Sequence, residues 1–371
     1  MNVVIVGCGV VGAAIAYRLS QIPDWNVQVY DQRSPQHWEA TGAALGVLMA
    51  AVSSRLKGKH VKLRLESLTL YESLIPELIQ KTGIEIPFNC GGIIHLCFDE
   101  SEFAHWETVQ AKRLSQGFTL QRWTRAHLVE NYPELEDAHI VGGCEAIGAI
   151  YSPQDRQVDP VALTQALIQG AKQQGAQIQF EQQVSGFRLG QDSPATISHV
   201  EIAGERIPAD WVILASGLGT TPLTQSLSQP ITLQPVLGQA LHLRTSASLP
   251  PKCPVINGAD VHLVPLAQHE LWVGATVEFP DANPTIPLEP SPDAFAALME
   301  QAIALWPDLE GAECLRSWQG LRPRPCDRAA PVIERLSGYS NVLVASGHYR
   351  NGILLAPVTA QRVQALLQTP L

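Results

Sequence analysis

Gly7-Cys8-Gly9-Val10-Val11-Gly12 follows directly on the apolar run Val3-Val4-Ile5-Val6, and Asp31 lies nineteen residues beyond the last of these glycines. The stretch is a G-x-G-x-x-G dinucleotide fingerprint in its full setting: buried strand, tight turn, helix, second strand and acidic residue. Gly7 permits the turn, and Gly9 lets the backbone approach a pyrophosphate. Val10 and Val11 open the helix, and Gly12 lets that helix lie close on the strand. The helix N-terminus then offers free N–H groups and its dipole to the phosphates. Asp31 ends the strand Val27-Gln28-Val29-Tyr30, where its carboxylate can accept from a ribose, with Gln32 and Arg33 beside it. A glycine-rich turn in some other α/β unit is the competing reading.

Working outward, 371 residues exceed the size at which a single core keeps growing, so two domains are expected. The 46% hydrophobic content supports a large interior, and no apolar stretch is long enough to span a bilayer. Met1 leads straight into the first strand, so no leader peptide is expected. The seven cysteines are odd in number, scattered and without C-x-x-C pairs, which reads as reduced thiols in a cytoplasmic protein with no metal site. A net charge of −10 argues against nucleic acid or an anionic membrane as partner. Any anionic substrate therefore needs a local cationic pocket.

The small residues Thr41-Gly42-Ala43-Ala44-Leu45-Gly46-Val47 suit a backbone passing close to a flat ligand, or simply form a small-residue loop. A helix is expected from about Lys59 to Gln80, with Leu63, Leu70, Leu74 and Leu78 at helical spacing. After a mixed segment from Ile84 to Gly148, Asp159-Pro160 reads as N-cap and first turn of a helix to about Gln174. Phe180 to Val184 and Trp211 to Ala215 read as strands, the latter running into the second glycine turn Ser216-Gly217-Leu218-Gly219. Alternation from about Pro230 to Thr276 indicates antiparallel strands. The last unit is a strand over Asn341–Ala345, the turn Ser346-Gly347-His348-Tyr349-Arg350-Asn351-Gly352, and a helix to about Leu367. The fold class is thus α/β: a Rossmann-like nucleotide-binding domain from 1–83, 151–225 and 321–371, plus an α+β substrate domain with an antiparallel sheet from 84–150 and 226–320.

These residues resemble the D-amino-acid oxidase family of flavoproteins, most closely its glycine oxidase branch. The resemblance is carried by Gly7–Gly12 with Asp31, by Thr41–Val47, and by Asp155 with Val158-Asp159-Pro160 through Val184 and Ala215-Ser216-Gly217. Its most specific part is Gly320-Leu321-Arg322-Pro323 followed by Gly347 to Pro357, and Gly274-Ala275-Thr276-Val277-Glu278 also matches. It implies FAD, bound extended, with adenosine at Asp31, Val184 against the adenine, and Ser216-Gly217 near the diphosphate. The helix starting at Gly352, with Ile353 and Leu354 in its first turn, would aim its positive end at the flavin, where reduction places negative charge. Relatives with covalent flavin use a cysteine earlier on the Arg322 segment, with which Cys326 does not coincide, so noncovalent FAD is expected.

The implied reaction is oxidation of the Cα–N bond of glycine, sarcosine or a small D-amino acid. Hydride leaves Cα for flavin N5, the imine hydrolyses to an oxo acid and ammonia, and oxygen as acceptor yields hydrogen peroxide. Relatives of this branch supply imine for the thiazole ring of thiamin. Arg322 is the expected carboxylate clamp, because its fork matches a carboxylate; a structural Arg paired to Asp327 is the alternative. Arg350 either faces flavin or substrate, or braces its turn through Asn351. His262 stands in Val261-His262-Leu263-Val264-Pro265 where glycine oxidases carry Tyr, and is either a substrate contact or a satisfied sheet histidine. For His348 the backbone, not the ring, is expected to matter. A dehydrogenase passing electrons to a quinone or carrier, a non-catalytic flavin sensor, and assembly into a homo-oligomer stay open.

Overall fold

The strand Asn2–Val6 lies inside a six-stranded sheet whose spatial order is Val332–Arg335, Val342–Ser346, Trp211–Leu214, Asn2–Val6, Asn26–Asp31, Gln177–Phe180. Every pairing in it is parallel except that of the edge strand Val332–Arg335. A strand buried on both faces must be apolar throughout, and Val3, Val4, Ile5, Val212, Ile213 and Val344 are fully buried. The chain runs from Asn2–Val6 outward to one side and returns later to the other. The ends of these strands therefore form a topological switch point, the place where open α/β sheets bind ligands. This is a computed structural model, and it describes residues 1–190, 196–280 and 291–369.

Helix Val10–Leu19 packs against Pro160–Gln173 and the last helix, Gly352–Gln368. Asp159 caps Pro160–Gln173 by accepting from Ala162 N at 2.7 Å. Helix Lys59–Thr82 buries Leu68, Tyr71, Ile75 and Leu78; Leu70 and Leu74 lie toward the edge of that face and are only partly buried. Pro357 inside the last helix has no N–H, which leaves the carbonyl of Ile353 without its helical donor. The Tyr71 hydroxyl supplies one at 2.5 Å, and Ser67 Oγ donates to Leu354 O at 2.6 Å. Buried groups on Lys59–Thr82 thus fix the first turn of the last helix.

An eight-stranded sheet runs in the order Glu313–Pro325, Leu233–Arg244, Glu270–Gly274, Val261–Ala267, Val255–Gly258, Ile93–Cys97, Gly148–Ser152, Gln121–Thr124. It is antiparallel except where Val255–Gly258 meets Ile93–Cys97. Strands Gly148–Ser152 and Glu313–Pro325 cross the expected boundaries at 150/151 and 320/321. The strand expected over Phe180–Val184 is two strands, Gln177–Phe180 and Val184–Leu189, in different sheets. The chain turns between them, with Glu181 at φ 60° and its N–H on Arg33 O.

Candidate active site

A cavity of about 830 Å³ extends from the ends of the six-stranded sheet to one face of the eight-stranded sheet. Its nucleotide end is lined by Gly7, Gly9, Val10, Val11, Asp31, Gln32, Arg33, Val184, Ala215, Ser216 and Gly217. A Cβ on Gly7, at φ +100°, would stand 2.7 Å from Ala215 O; one on Gly12 would stand 2.0 Å from Gly7 O. Gly12 itself does not line the cavity and serves the helix-to-turn packing. Thr41 Oγ1 accepts from Val10 N at 3.1 Å, so the loop after Asp31 holds the start of the first helix.

Asp31 accepts from Cys8 N at 2.6 Å on one oxygen and from Arg33 N at 2.9 Å on the other. It braces the glycine loop, while each carboxylate oxygen keeps a further lone pair for a ribose. Arg33 lies 3.3 Å from the same carboxylate, donates to Cys8 O at 2.8 Å, and is sandwiched between Trp38 and Phe180. These groups lock the turn before any ligand arrives.

Thr41, Ala43, Ala44, Gly46 and Val47 line the middle of the cavity, whereas Gly42 backs onto Trp38. The segment behind them is held from both sides. Buried Asp155 accepts from Ala50, Ala51 and Val52 N at 2.7–2.9 Å, and Arg113 donates to the carbonyls of Ala51, Ser53 and Arg55. Burial raises the Asp155 carboxyl pKa against those three N–H bonds. Facing this wall, His348, Tyr349, Arg350, Asn351, Gly352, Ile353 and Leu354 bring in the N-terminus of the last helix, which has no side-chain cap. The His348 ring turns away to Thr359 Oγ1 at 2.9 Å, and burial pushes it down to about 4.

At the far end stand Arg322 and His262. Strand pairing sets Arg322 opposite Val236, and its guanidinium passes over Gly238, where a Cβ would meet it at 2.2 Å. Its Nη1 donates to Leu237 O at 3.0 Å and to Thr276 O at 2.9 Å, leaving the rest of the fork to the cavity. Asp327 pairs instead with Arg328 at 3.2 Å, and among the described residues no ion pair holds Arg322 or Arg350. Burial, then the charge of Arg350, lowers the Arg322 pKa. The His262 ring is pushed down to about 3 by burial and then by Arg350, His95 and Arg322, so it is neutral.

Arg64 also borders the cavity, from helix Lys59–Thr82, donating to Met49 O with its Nε unpartnered among the described residues. Neither it nor Gly238 stands out in the sequence, since each acts through a contact that only the tertiary register creates. His95, Cys97 and Glu102 form the one cluster of metal-ligating types among the described residues. Its His–Glu contact is a hydrogen bond at 3.0 Å, and burial raises the Cys97 thiol pKa.

FAD fits this cleft. The turn excludes side chains where a pyrophosphate would lie, two helix N-termini face the cavity, and the cavity continues past them to a cationic end. The fold and site define a dinucleotide-binding protein with a pocket for an anion. The family model described as FAD dependent oxidoreductase matches residues 2–366, and the chain belongs to that family. It is 30% identical to glycine oxidase of Geobacillus kaustophilus, over 99% of this chain and 93% of that protein. It is 31% identical to the bifunctional protein ThiO/ThiG of a Synechocystis strain over 99% of this chain, and spans 51% of that longer protein. The crystal structure of the Geobacillus enzyme superposes with a TM-score of 0.85 at 28% identity, covering 99% of this chain and 94% of that one. The protein is an FAD-dependent enzyme. No helix among the described residues is long and apolar enough to cross a membrane.

Proposed function

We propose that the chain oxidises the Cα–N bond of a small amino acid, such as glycine, sarcosine or a small D-amino acid, giving an imine that hydrolyses to an oxo acid and ammonia. The observation that carries this reading is Arg322: a partly buried guanidinium, held by two carbonyls and without an ion-paired carboxylate among the described residues, at the cavity end remote from the nucleotide turn. Such a group seeks an anion, and a substrate carboxylate meets its fork with two parallel bonds. Bound FAD supplies the acceptor for the hydride that leaves Cα.

The residues of this chain bind and orient. Arg322, with Arg350 at the rim and the His262 ring beside it, would fix the carboxylate and so hold Cα toward the cavity wall. A neutral amine has the lone pair that drives hydride departure, so the site needs no general base. The first turn of the last helix, braced through Tyr71 and Ser67, would hold its positive end toward bound FAD and favour the negative charge that reduction adds. Oxygen as acceptor, a cytoplasmic location and delivery of the imine to thiazole formation complete the reading. The proposal keeps two domains, 1–83, 151–225 and 321–371 for the cofactor and 84–150 and 226–320 for the substrate, and the two large sheets support that reading.

Anaerobic mixing of the yellow protein with a panel of amines and amino acids tests this reading. Small amino acids should bleach the flavin, and air should restore the colour with release of peroxide. Acid precipitation should free the FAD from the polypeptide. Bleaching by carboxylate-free amines alone would overturn the clamp, and bleaching without peroxide in air would favour a dehydrogenase.

A further inference from the structure

His262 does not stand alone. Three adjacent strands of the eight-stranded sheet set His95, Asn257 and His262 side by side: Asn257 is the parallel partner of His95 and the antiparallel partner of His262. Their side chains are linked in the same order. His95 Nδ1 lies 2.6 Å from Asn257 Oδ1, and Asn257 Nδ2 lies 3.1 Å from His262 Nδ1. The chain ends at Glu102, whose carboxylate is 3.0 Å from His95 Nε2. Glu102 sits in the first turn of helix Glu100–Leu114, which Asp99 caps by accepting from Ser101 and Glu102 N.

Donor and acceptor roles follow from one fixed point. Asn257 Nδ2 also faces Val261 O at 3.2 Å, and a carbonyl only accepts, so this atom is the amide nitrogen. The amide oxygen must then face His95, whose Nδ1 must donate. His95 Nε2 faces a carboxylate that the His95 contact holds below the usual carboxylate range, so it donates too, which puts a proton on both His95 nitrogens, with the Glu102 carboxylate opposite. On the other side, the amide nitrogen donates to His262 Nδ1, which must carry no proton. The neutral His262 ring then bears its hydrogen on Nε2. Asn257 has no proton to pass along, so the chain transmits orientation and conducts no protons.

We propose that Glu102, His95 and Asn257 are positioning residues that hold His262 as its Nε2–H tautomer, so that the imidazole donates a hydrogen bond to the substrate carboxylate beside Arg322. The proposal rests on the carboxylate-binding reading of the site given above. A neutral histidine in water exchanges freely between tautomers, and the Nδ1–H form would aim a bare lone pair at an anion. Fixing the tautomer gives an imidazole the donor role that a phenol would fill, without adding another charge beside Arg322 and Arg350.

The test reads the ring directly. In FAD-loaded protein labelled with 15N-histidine, the His262 signal, assigned by its loss in His262→Gln, should show an unprotonated Nδ1 and a protonated Nε2 with no substrate present. Asn257→Asp places an acceptor opposite Nδ1 and should move the proton to that nitrogen. The same variant should weaken binding of a non-reactive carboxylate, acetate, followed through the flavin spectrum, by about tenfold or more. Its effect should fall mainly on KM, with kcat less altered. Should Asn257→Asp fail to retain flavin, Glu102→Ala at the partly exposed end provides a milder variant, expected to broaden or shift the His95 signals and weaken acetate less. A protonated Nδ1 in the unmodified protein overturns the proposal. Unchanged acetate affinity after a proven tautomer change overturns its link to the carboxylate. The nitrogen signals need no turnover, so failure of the proposed oxidation is told apart from failure of the tautomer assignment.

Discussion

The nucleotide end and the substrate end of the cavity are built in opposite ways. At the nucleotide end, main-chain groups would face the cofactor, and side chains such as Arg33 and Thr41 brace the loop that presents them, as Asp31 does while keeping lone pairs for a ribose. At the proposed substrate end, side chains would face the ligand, and the main chain braces them: Leu237 O and Thr276 O hold Arg322. A main-chain site depends on where side chains are missing, which a short stretch of sequence can specify. A side-chain site depends on which strands lie next to each other, and residues far apart in the chain share it.

The contrast breaks most sharply on two glycines of the same turn. A Cβ on Gly12 would come within 2.0 Å of Gly7 O, a clash with backbone that cannot move aside. Gly12→Val should therefore lose the folded protein, beyond the ~1–3 kcal/mol of ordinary overpacking. A Cβ on Gly9 meets only Thr41 Oγ1, at 3.2 Å, and otherwise points to the space where a pyrophosphate would lie. Gly9→Val should keep its circular dichroism and lose its yellow colour. Equal FAD content in Gly9→Val and the unmodified protein would show that the diphosphate lies elsewhere.

At the substrate end the largest effect belongs to Arg322→Ala. Removing one partner of a desolvated charged contact typically costs ~2–5 kcal/mol, so kcat/KM for a carboxylate substrate should drop by about one to three powers of ten or more. FAD content should hold, because Arg322 has no part in the glycine turn. Arg322→Lys should recover only part of the loss, keeping the charge but not the fork. Wild-type kinetics in Arg322→Ala would hand the carboxylate to Arg350 or make the substrate a plain amine.

The same contrast explains what could be read from the sequence. The glycine fingerprint, the strand before it, the Asp159 cap and the start of the last helix at Gly352 are local, and the structure has each where spacing puts it. The α/β class with its second, antiparallel sheet followed from them and from the family resemblance. The environment of Arg322 was not legible, because Gly238, Leu237 and Thr276 meet it only through strand pairing. The link from Glu102 to His262 was hidden for the same reason: residues 95, 257 and 262 become neighbours only once three strands align. Phe180 to Val184 reads as one strand only because its two end residues favour strands and no Gly or Pro marks a break, and the positive φ at Glu181 that ends the first strand has no residue signature of the glycine kind.

The most gradual effect we expect is a pH slope at the point where the two ends meet. His348 lies in the loop joining the last strand to the last helix, is buried against Thr359, and has its pKa pushed down to about 4. In the unfolded chain it would titrate near ~6.5. Between these values the unfolded state binds a proton that the native state does not, so stability must fall as pH falls through the window from about 6.5 to 4, and the contribution is level above and below it. The full loss is on the order of 3 kcal/mol, from about 1.4 kcal/mol per pKa unit. His262, pushed down to about 3, adds a second slope of the same sign at the substrate end. Replacing His348 by Gln keeps a hydrogen-bonding partner for Thr359, donor or acceptor, and removes one titration. Urea unfolding of the holoenzyme across pH 4 to 7 should then show a shallower acid loss in His348→Gln than in the unmodified protein, with FAD retained at neutral pH. Parallel slopes would mean that His348 takes up its proton in the folded state, and the loop beside the helix N-terminus would be less firmly closed than its hydrogen bond to Thr359 implies.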